Sequence, residues 1–194
     1  MVVPDGDVLL FAGDMCGPGK LEEVEKFGDW LRGLPHKHKV IIAGNHDWPF
    51  EKEPHLAREA LGNDLIYLQD ESVVCDGVKI YGSPWQPEFC RWAFNLKRGQ
   101  ALRDVWSKIP NDTEILLTHG PPMGILDRTF DQRPVGCEDL RHRLLSLPNL
   151  KLHVFGHIHE AYGRRQEGDR LYLNASICDL RQRGAVNRAW SVDL

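Results

Sequence analysis

The side chains in this sequence best able to do chemistry sit where short apolar runs end. Gly44-Asn45-His46-Asp47 follows Val40-Ile41-Ile42-Ala43, a short, β-branched run that reads as a buried strand. Three other places repeat the arrangement. Gly13-Asp14 closes the run Val8-Leu9-Leu10-Phe11-Ala12, Thr118-His119-Gly120-Pro121-Pro122 follows Ile115-Leu116-Leu117, and Gly156-His157-Ile158-His159 follows Leu152-His153-Val154-Phe155. Ligands of α/β proteins gather beyond the C-terminal ends of the strands. A single Gly-Asp or Gly-His end is an ordinary polar turn, but four of them place one set of donors on a common rim.

Asp14, Asn45, His119 and His157 supply one carboxylate, one amide and two imidazoles. That mixed nitrogen and oxygen set suits Mn, with Fe, Zn or Ni as alternatives, better than calcium, which takes oxygen ligands throughout. A turn after Gly156 would aim His157 and His159 the same way. In a two-ion site Asp14 would bridge and His159 would serve the second ion. Two ions about 3.5–4 Å apart clamp a phosphate and pull the pKa of a shared water from about 16 toward about 7. His46, held by Asp47, would then protonate the leaving oxygen and stabilise charge on the phosphate. The remaining histidines read as structural: His36 and His38 as caps or surface residues, His153 as a core residue, His55 and His142 as outward-facing helix residues. Cys16 reads as a loop thiol near Asp14.

A chain of 194 residues and 22.2 kDa with 42% hydrophobic residues can bury a sizeable core, and one domain over 1–194 is expected. Its 24 basic and 28 acidic residues, net charge −4, are not blocked by sign. No basic stripe is present, which argues against a nucleic-acid partner; the arginines of residues 181–188 read as a surface loop. Five irregularly spaced cysteines do not make a disulfide framework, and reduced thiols point to the cytoplasm. The first residues lack a signal peptide's basic region, and no apolar run reaches the roughly 20 residues that span a membrane.

The elements that must position these side chains alternate. Residues 7–12 read as a strand. Residues 21–34 read as an amphipathic helix, with Leu21, Val24, Phe27, Leu31 and Leu34 three and four apart and Pro35 as its stop. With the run from Val40 they form a β-α-β unit, which makes a parallel, helix-covered sheet. Residues 51–61 read as a second helix. Residues 65–68, 72–75 and 78–81 read as short strands, the last two joined by the hairpin signal Asp76-Gly77. Helices are expected over 100–109 and from Gly136-Cys137 to about Ser146, and final strands over 170–174 and 189–193. The aromatic stretch 82–97, with Trp85, Phe89, Trp92 and Phe94, reads as a packed loop or as a pocket wall on which a flat ligand would stack.

These motifs together resemble the calcineurin-like metallophosphoesterase superfamily. Tyr81-Gly82-Ser83-Pro84-Trp85, Thr118-His119-Gly120-Pro121-Pro122, Val135-Gly136-Cys137 and Phe155-Gly156-His157-Ile158-His159-Glu160 are similar to its class III phosphodiesterase-like branch of metallophosphoesterase-domain proteins. The resemblance implies a four-layer α-β-β-α sandwich with metals between strand-end loops. Asp14 would bridge; Asn45, His119 and His157 would complete one ion's shell; His159 would serve the other; His46 would be the catalytic histidine; Trp85, Gly120 and Pro121 would face substrate. The sequence departs from the pattern at one place. Family members open with a strand ending in Asp-x-His that binds the first metal, and no Asp-x-His precedes Asp14 here. The expectation is therefore one tight ion and an incomplete second site. The expected function is hydrolysis of small phosphodiesters or phosphomonoesters, cyclic nucleotides among them. The alternative is a nucleotide- or phosphate-binding protein with weak catalysis. Without the opening strand, the edge of residues 8–12 lacks a neighbour, and self-association into a homodimer is expected there.

Overall fold

The computed structural model describes residues 2–179 and 184–194. In chain order the elements are β1 (Val8–Phe11), α1 (Leu21–Arg32), β2 (His38–Ile41), α2 (Trp48–Lys52), α3 (Pro54–Leu61), β3 (Ile66–Tyr67), β4 (Glu71–Cys75), β5 (Val78–Ser83), β6 (Gln86–Pro87), β7 (Asn95–Leu96), α4 (Gln100–Ser107), β8 (Ile115–Thr118), α5 (Glu138–Leu145), β9 (Leu152–Phe155), a 3-10 turn (His159–Ala161), β10 (Gly163–Glu167) and β11 (Arg170–Asn174). Strands β1, β2 and β3 form a parallel sheet in that order. A six-stranded sheet runs β10-β11-β9-β8-β5-β4, parallel at its centre and closed at each edge by an antiparallel hairpin.

Three apolar cores make this a four-layer α-β-β-α sandwich. Leu9, Ile41 and Ala43 face Val24, Leu31, Ala57 and Leu61 of α1 and α3. Val40 and Ile42 face Ile80, Ile115, Leu117, Leu152, Val154 and Leu173 between the two sheets. Tyr81, Leu116, Phe155 and Tyr172 pack on Leu102, Trp106, Leu140 and Leu144 of α4 and α5. The strands alternate their side chains between layers, so one β-branched run feeds two cores. The helix expected over 51–61 is two helices, because Pro54 lacks an N–H and can only open a new one.

One expectation fails at the far end of the chain. Residues 189–193 form no strand. Trp190 instead donates its Nε1–H to the Asn174 carbonyl at 3.1 Å and stacks on Tyr162 at 4.9 Å, which pins this segment to the large sheet. The basic loop expected over 181–188 lies partly outside the described residues. All five cysteines are free, and no helix among the described residues is long and apolar enough to cross a membrane.

His153 is the core histidine the sequence suggested, fully buried in β9. The Thr118 hydroxyl donates to the Gly120 carbonyl, so its oxygen accepts the His153 Nε2–H at 2.8 Å. The Nδ1 lone pair is left buried without a partner. Burial first, and then the charge of Arg170, push this imidazole down to about 3. A depressed histidine is neutral in the fold and protonated in the unfolded chain below its ordinary value near 6.5. Its contribution to stability is therefore intact above pH 6.5 and is lost as pH falls toward 3, at about 1.4 kcal/mol per pH unit. Thermal melts from pH 7 to pH 4 should fall steeply in the native chain and less steeply in His153→Gln. Parallel slopes would remove His153 from the acid limb.

Candidate metal centre

The loops that follow β1, β2, β8 and β9 meet over the cleft between the sheets. Two of their ligand residues, Asp14 (φ 63°) and His157 (φ 68°), have left-handed backbone, which aims their side chains back toward the cleft. Gly44 is required where β2 ends: a Cβ there would run into the Asp14 carboxylate and the His119 ring.

Asp14, His119 and His157 bring one ligand atom each within 4.8 Å of one another, and the two imidazoles lie 4.9 Å apart. The Asn45 Oδ1 is 2.8 Å from His119 Nε2, and Asp14 Oδ2 is 3.4 Å from the same nitrogen. The His119 Nδ1–H is committed to the Ala12 carbonyl at 2.8 Å. In its neutral form His119 Nε2 therefore presents a lone pair to two oxygens that are themselves acceptors. Such a cluster is stable only with positive charge at its centre. Without a cation, a proton on His119 would supply that charge. Burial would raise Asp14 and lower His119, yet the attraction and hydrogen bond between them hold Asp14 well below the carboxylate range and raise His119. Burial, reinforced by the charge of His119, pushes His157 down to about 3, which keeps it neutral and able to bind a cation. The donor set thus fits a divalent ion held by Asp14, Asn45, His119 and His157. His159 borders the same cleft but stands outside the three-residue cluster, with Nδ1 3.3 Å from the Asp179 carbonyl.

His46 lies beside this cluster, its backbone N–H donating to Asp14 Oδ1 at 2.9 Å. Its ring is not held by Asp47, contrary to expectation. The Nδ1–H pairs with the Gly17 carbonyl at 2.8 Å, and Trp92 lies against the ring at 4.4 Å. Asp47 is fully buried and accepts from the backbone N–H groups of Gly44 (2.7 Å), Asp14 (2.9 Å) and Cys16 (2.9 Å). It is a staple between the β1 and β2 loops. Neighbours in a turn point apart, which is why adjacency in sequence misled. Burial, then repulsion from Asp14, push Asp47 up to about 6 despite these donors. The sequence reading also missed Glu23. Its carboxylate accepts from Lys20 N–H and Gly17 N–H at 2.8 and 3.0 Å, fixing the loop whose carbonyl aims His46. An acidic residue three positions after a helix cap was the available signal.

The three residues expected to face substrate also have partners within the fold. Trp85 donates Nε1–H to Asp70 at 3.0 Å and packs edge-on against Phe94. Gly120 and Pro121 are buried, their carbonyls accepting from Thr118 and Cys137 at 2.9 Å. Trp92 is the aromatic that reaches the site.

A four-layer sandwich with a cation-demanding rim and an adjacent oriented histidine defines a metal-dependent phosphoesterase architecture. The model of the calcineurin-like phosphoesterase family matches residues 2–161, and the chain belongs to that family, whose general activity is metal-dependent hydrolysis of phosphoesters. The chain is 42% identical over 215 residues to the human "Metallophosphoesterase domain-containing protein 1", covering 99% of this chain and 66% of that relative's length. A Caenorhabditis elegans UPF0046 protein is 37% identical over 91% of this chain and 52% of its own. A protein of Nostoc sp. called a 3',5'-cyclic-nucleotide phosphodiesterase is 26% identical over 90% of this chain and 64% of its own. A solved crystal structure superposes with a TM-score of 0.63 at 20% identity, covering 80% of this chain and 63% of that one, a likeness of fold.

Proposed function

We propose that this chain hydrolyses small phosphodiesters or phosphomonoesters, with cyclic nucleotides in the substrate range. The observation that carries the reading is the pair of oxygen acceptors around His119 Nε2, one of them on Asp14, whose other oxygen accepts the His46 N–H. A divalent ion at Asp14, Asn45, His119 and His157 would oppose charge on phosphate oxygens and acidify a water. Asp14 both offers a ligand oxygen and fixes the His46 backbone. His119 turns its lone pair inward because Ala12 holds its other nitrogen. His46, with Nδ1–H on Gly17, turns Nε2 outward, where it can hand a proton to a leaving oxygen. The mixed nitrogen and oxygen donors favour manganese among the candidate metals, and the free thiols favour a reducing, cytoplasmic setting.

The test is turnover of bis(p-nitrophenyl) phosphate with manganese, abolished by chelation and restored by the metal. Metal counting by mass spectrometry should find one tightly held ion per chain, absent from His119→Ala. Equal retention of two ions would contradict this. The arrangement of His159 supports a second reading, a phosphate- or nucleotide-binding protein with weak catalysis, because among the described residues Asp14 and His159 are what remains for another ion. Inorganic phosphate binding without turnover would select it.

Trp92 gives the nucleotide range its own test. Stacking on a base contributes about 1–3 kcal/mol, so Trp92→Ala should raise KM for a cyclic nucleotide roughly 5- to 150-fold more than for the aryl diester. Trp85→Ala should instead lower stability by about 3 kcal/mol and leave the KM ratio unchanged. Equal KM effects of Trp92→Ala on both substrates would remove the stacking role.

A further inference from the structure

The stretch that carries Trp92 folds back on one side chain. Strands β6 and β7 run parallel, with Gln86 opposite Asn95, and residues 88–94 join them. A parallel pair normally needs a connection of about a dozen residues or more, so this one must double back sharply. It turns at Cys90 (φ 52°) and Phe94 (φ 55°), both with left-handed backbone. The returning limb is fixed to the metal centre. The Ala93 N–H donates to the Asn45 carbonyl at 3.1 Å, the Phe94 N–H donates to Glu51 Oε1 at 2.9 Å, and Ala93 and Phe94 are fully buried. The outgoing limb, residues 89–92, has no such anchor in the core, and Phe89 and Cys90 are exposed.

Among the described residues, the hydrogen bonds of that outgoing limb all run to Asn95. Its Nδ2 donates to the carbonyls of Phe89 at 3.0 Å and Cys90 at 3.3 Å. Its Oδ1 accepts from the Phe89 N–H at 3.5 Å and from Gln86 Nε2 at 3.2 Å. Carbonyl oxygens only accept, so the amide can stand only this way round. Gln86, itself buried, steadies Asn95 and bonds to nothing in the limb. Trp92 closes the limb, and its ring rests against His46 at 4.4 Å. We propose that Asn95 is a positioning residue: by folding residues 89–92 it sets Trp92 against His46, and through Trp92 it gives the site a preference for substrates that carry a base. The second half rests on the stacking role argued for Trp92 above, and the first half does not. Asn95→Asp isolates the effect. It keeps the size of the side chain but puts an oxygen where Nδ2 stood, facing the oxygens of Phe89 and Cys90. Two bonds become repulsions and the outgoing limb is released, while the returning limb keeps Asn45 and Glu51.

The test uses the full chain, isotope-labelled at its six tryptophans and read by NMR, with the Trp92 indole signal assigned by its absence from Trp92→Ala. In Asn95→Asp the Trp92 signal should move toward that of free tryptophan while the other indole signals stay in place. Kinetics supply the second readout. The KM for cyclic AMP relative to that for bis(p-nitrophenyl) phosphate should rise about fivefold or more in Asn95→Asp, as in Trp92→Ala. The double variant should rise no further than Trp92→Ala, because Asn95 acts through Trp92. A Trp92 signal left in place would overturn the proposal. Movement of all the indole signals, with kcat lowered alike for both substrates and the KM ratio unchanged, would make Asn95 a general support of the fold and overturn it too. A double variant whose KM ratio is the product of the two single effects would overturn the route through Trp92. If Trp92→Ala itself leaves the KM ratio unchanged, the stacking reading fails and the specificity half with it, whereas the indole signal still decides whether Asn95 places Trp92.

Discussion

Asp47→Ala is expected to strip the metal and destabilise the fold together. The Asp47 carboxylate receives backbone N–H groups from Gly44, Asp14 and Cys16. Alanine in its place offers no acceptor to any of the three. A buried donor left unpaired costs about 1–3 kcal/mol, so stranding all three, less what an entering water recovers, gives a loss of roughly 3–5 kcal/mol. For a chain of this size that lowers Tm by roughly 10 °C. The lost bonds are also those that hold Asp14 in its left-handed backbone. Once the β1 loop relaxes, the carboxylate leaves its place beside His119 and the ion goes with it. Scanning fluorimetry and metal counting on the purified variant check both halves. Retained metal and an unchanged Tm, with only turnover reduced, would return Asp47 to the role of orienting the imidazole.

The same residue shows where sequence reading stops. The candidate cluster of Asp14, His119 and His157 was legible because each is a polar residue after an apolar run, and the fold delivers such residues to one rim whatever the loops do. The partners of those residues were not, since they depend on which way a turn throws its side chains. Asp47 looked like the holder of His46 because it is the next residue, while the real partner, the Gly17 carbonyl, is 29 residues away and a backbone group leaves no mark in a sequence. Trp85 and Trp92 were equivalent in composition, and only the loop path separates the one tied to Asp70 from the one against His46.

Strands were legible where both faces are buried, as in β2, β8 and β9. Strand β10 was missed because Gly163-Arg164-Arg165-Gln166-Glu167 shows no apolar alternation; it pairs with β11 at an exposed edge, where pairing is enough. The opposite error occurred at residues 189–193. Ala189, Trp190, Ser191, Val192 and Asp193 alternate as a strand should, but Trp190 is anchored at Asn174 and Tyr162. Periodicity reports which side chains are buried, not whether a neighbouring backbone lies within reach.

His46→Ala is expected to lower kcat by roughly 10²–10⁴-fold, the range for a general acid–base group, with metal content unchanged. The separation follows from which part of the residue does what. The contact that supports the ligand is the backbone N–H to Asp14 Oδ1, which alanine keeps. The imidazole is fixed by Gly17 and Trp92, neither of which belongs to the ligand set. Removing the ring therefore takes away the proton donor and leaves the ion in place. A substrate whose leaving group needs little protonation, such as a nitrophenolate, should be less affected than an alkyl ester or cyclic nucleotide. Glu23→Ala supplies the intermediate case. It frees the Gly17 loop and lets the ring rotate without changing its chemistry. It should therefore lower kcat less than His46→Ala, with the same bias against poor leaving groups, and add almost nothing when combined with it. Steady-state kinetics on both substrates and metal counts on all three variants decide the matter. Loss of metal in His46→Ala, or equal slowing of both substrates, would place His46 among the ligands rather than at the leaving oxygen.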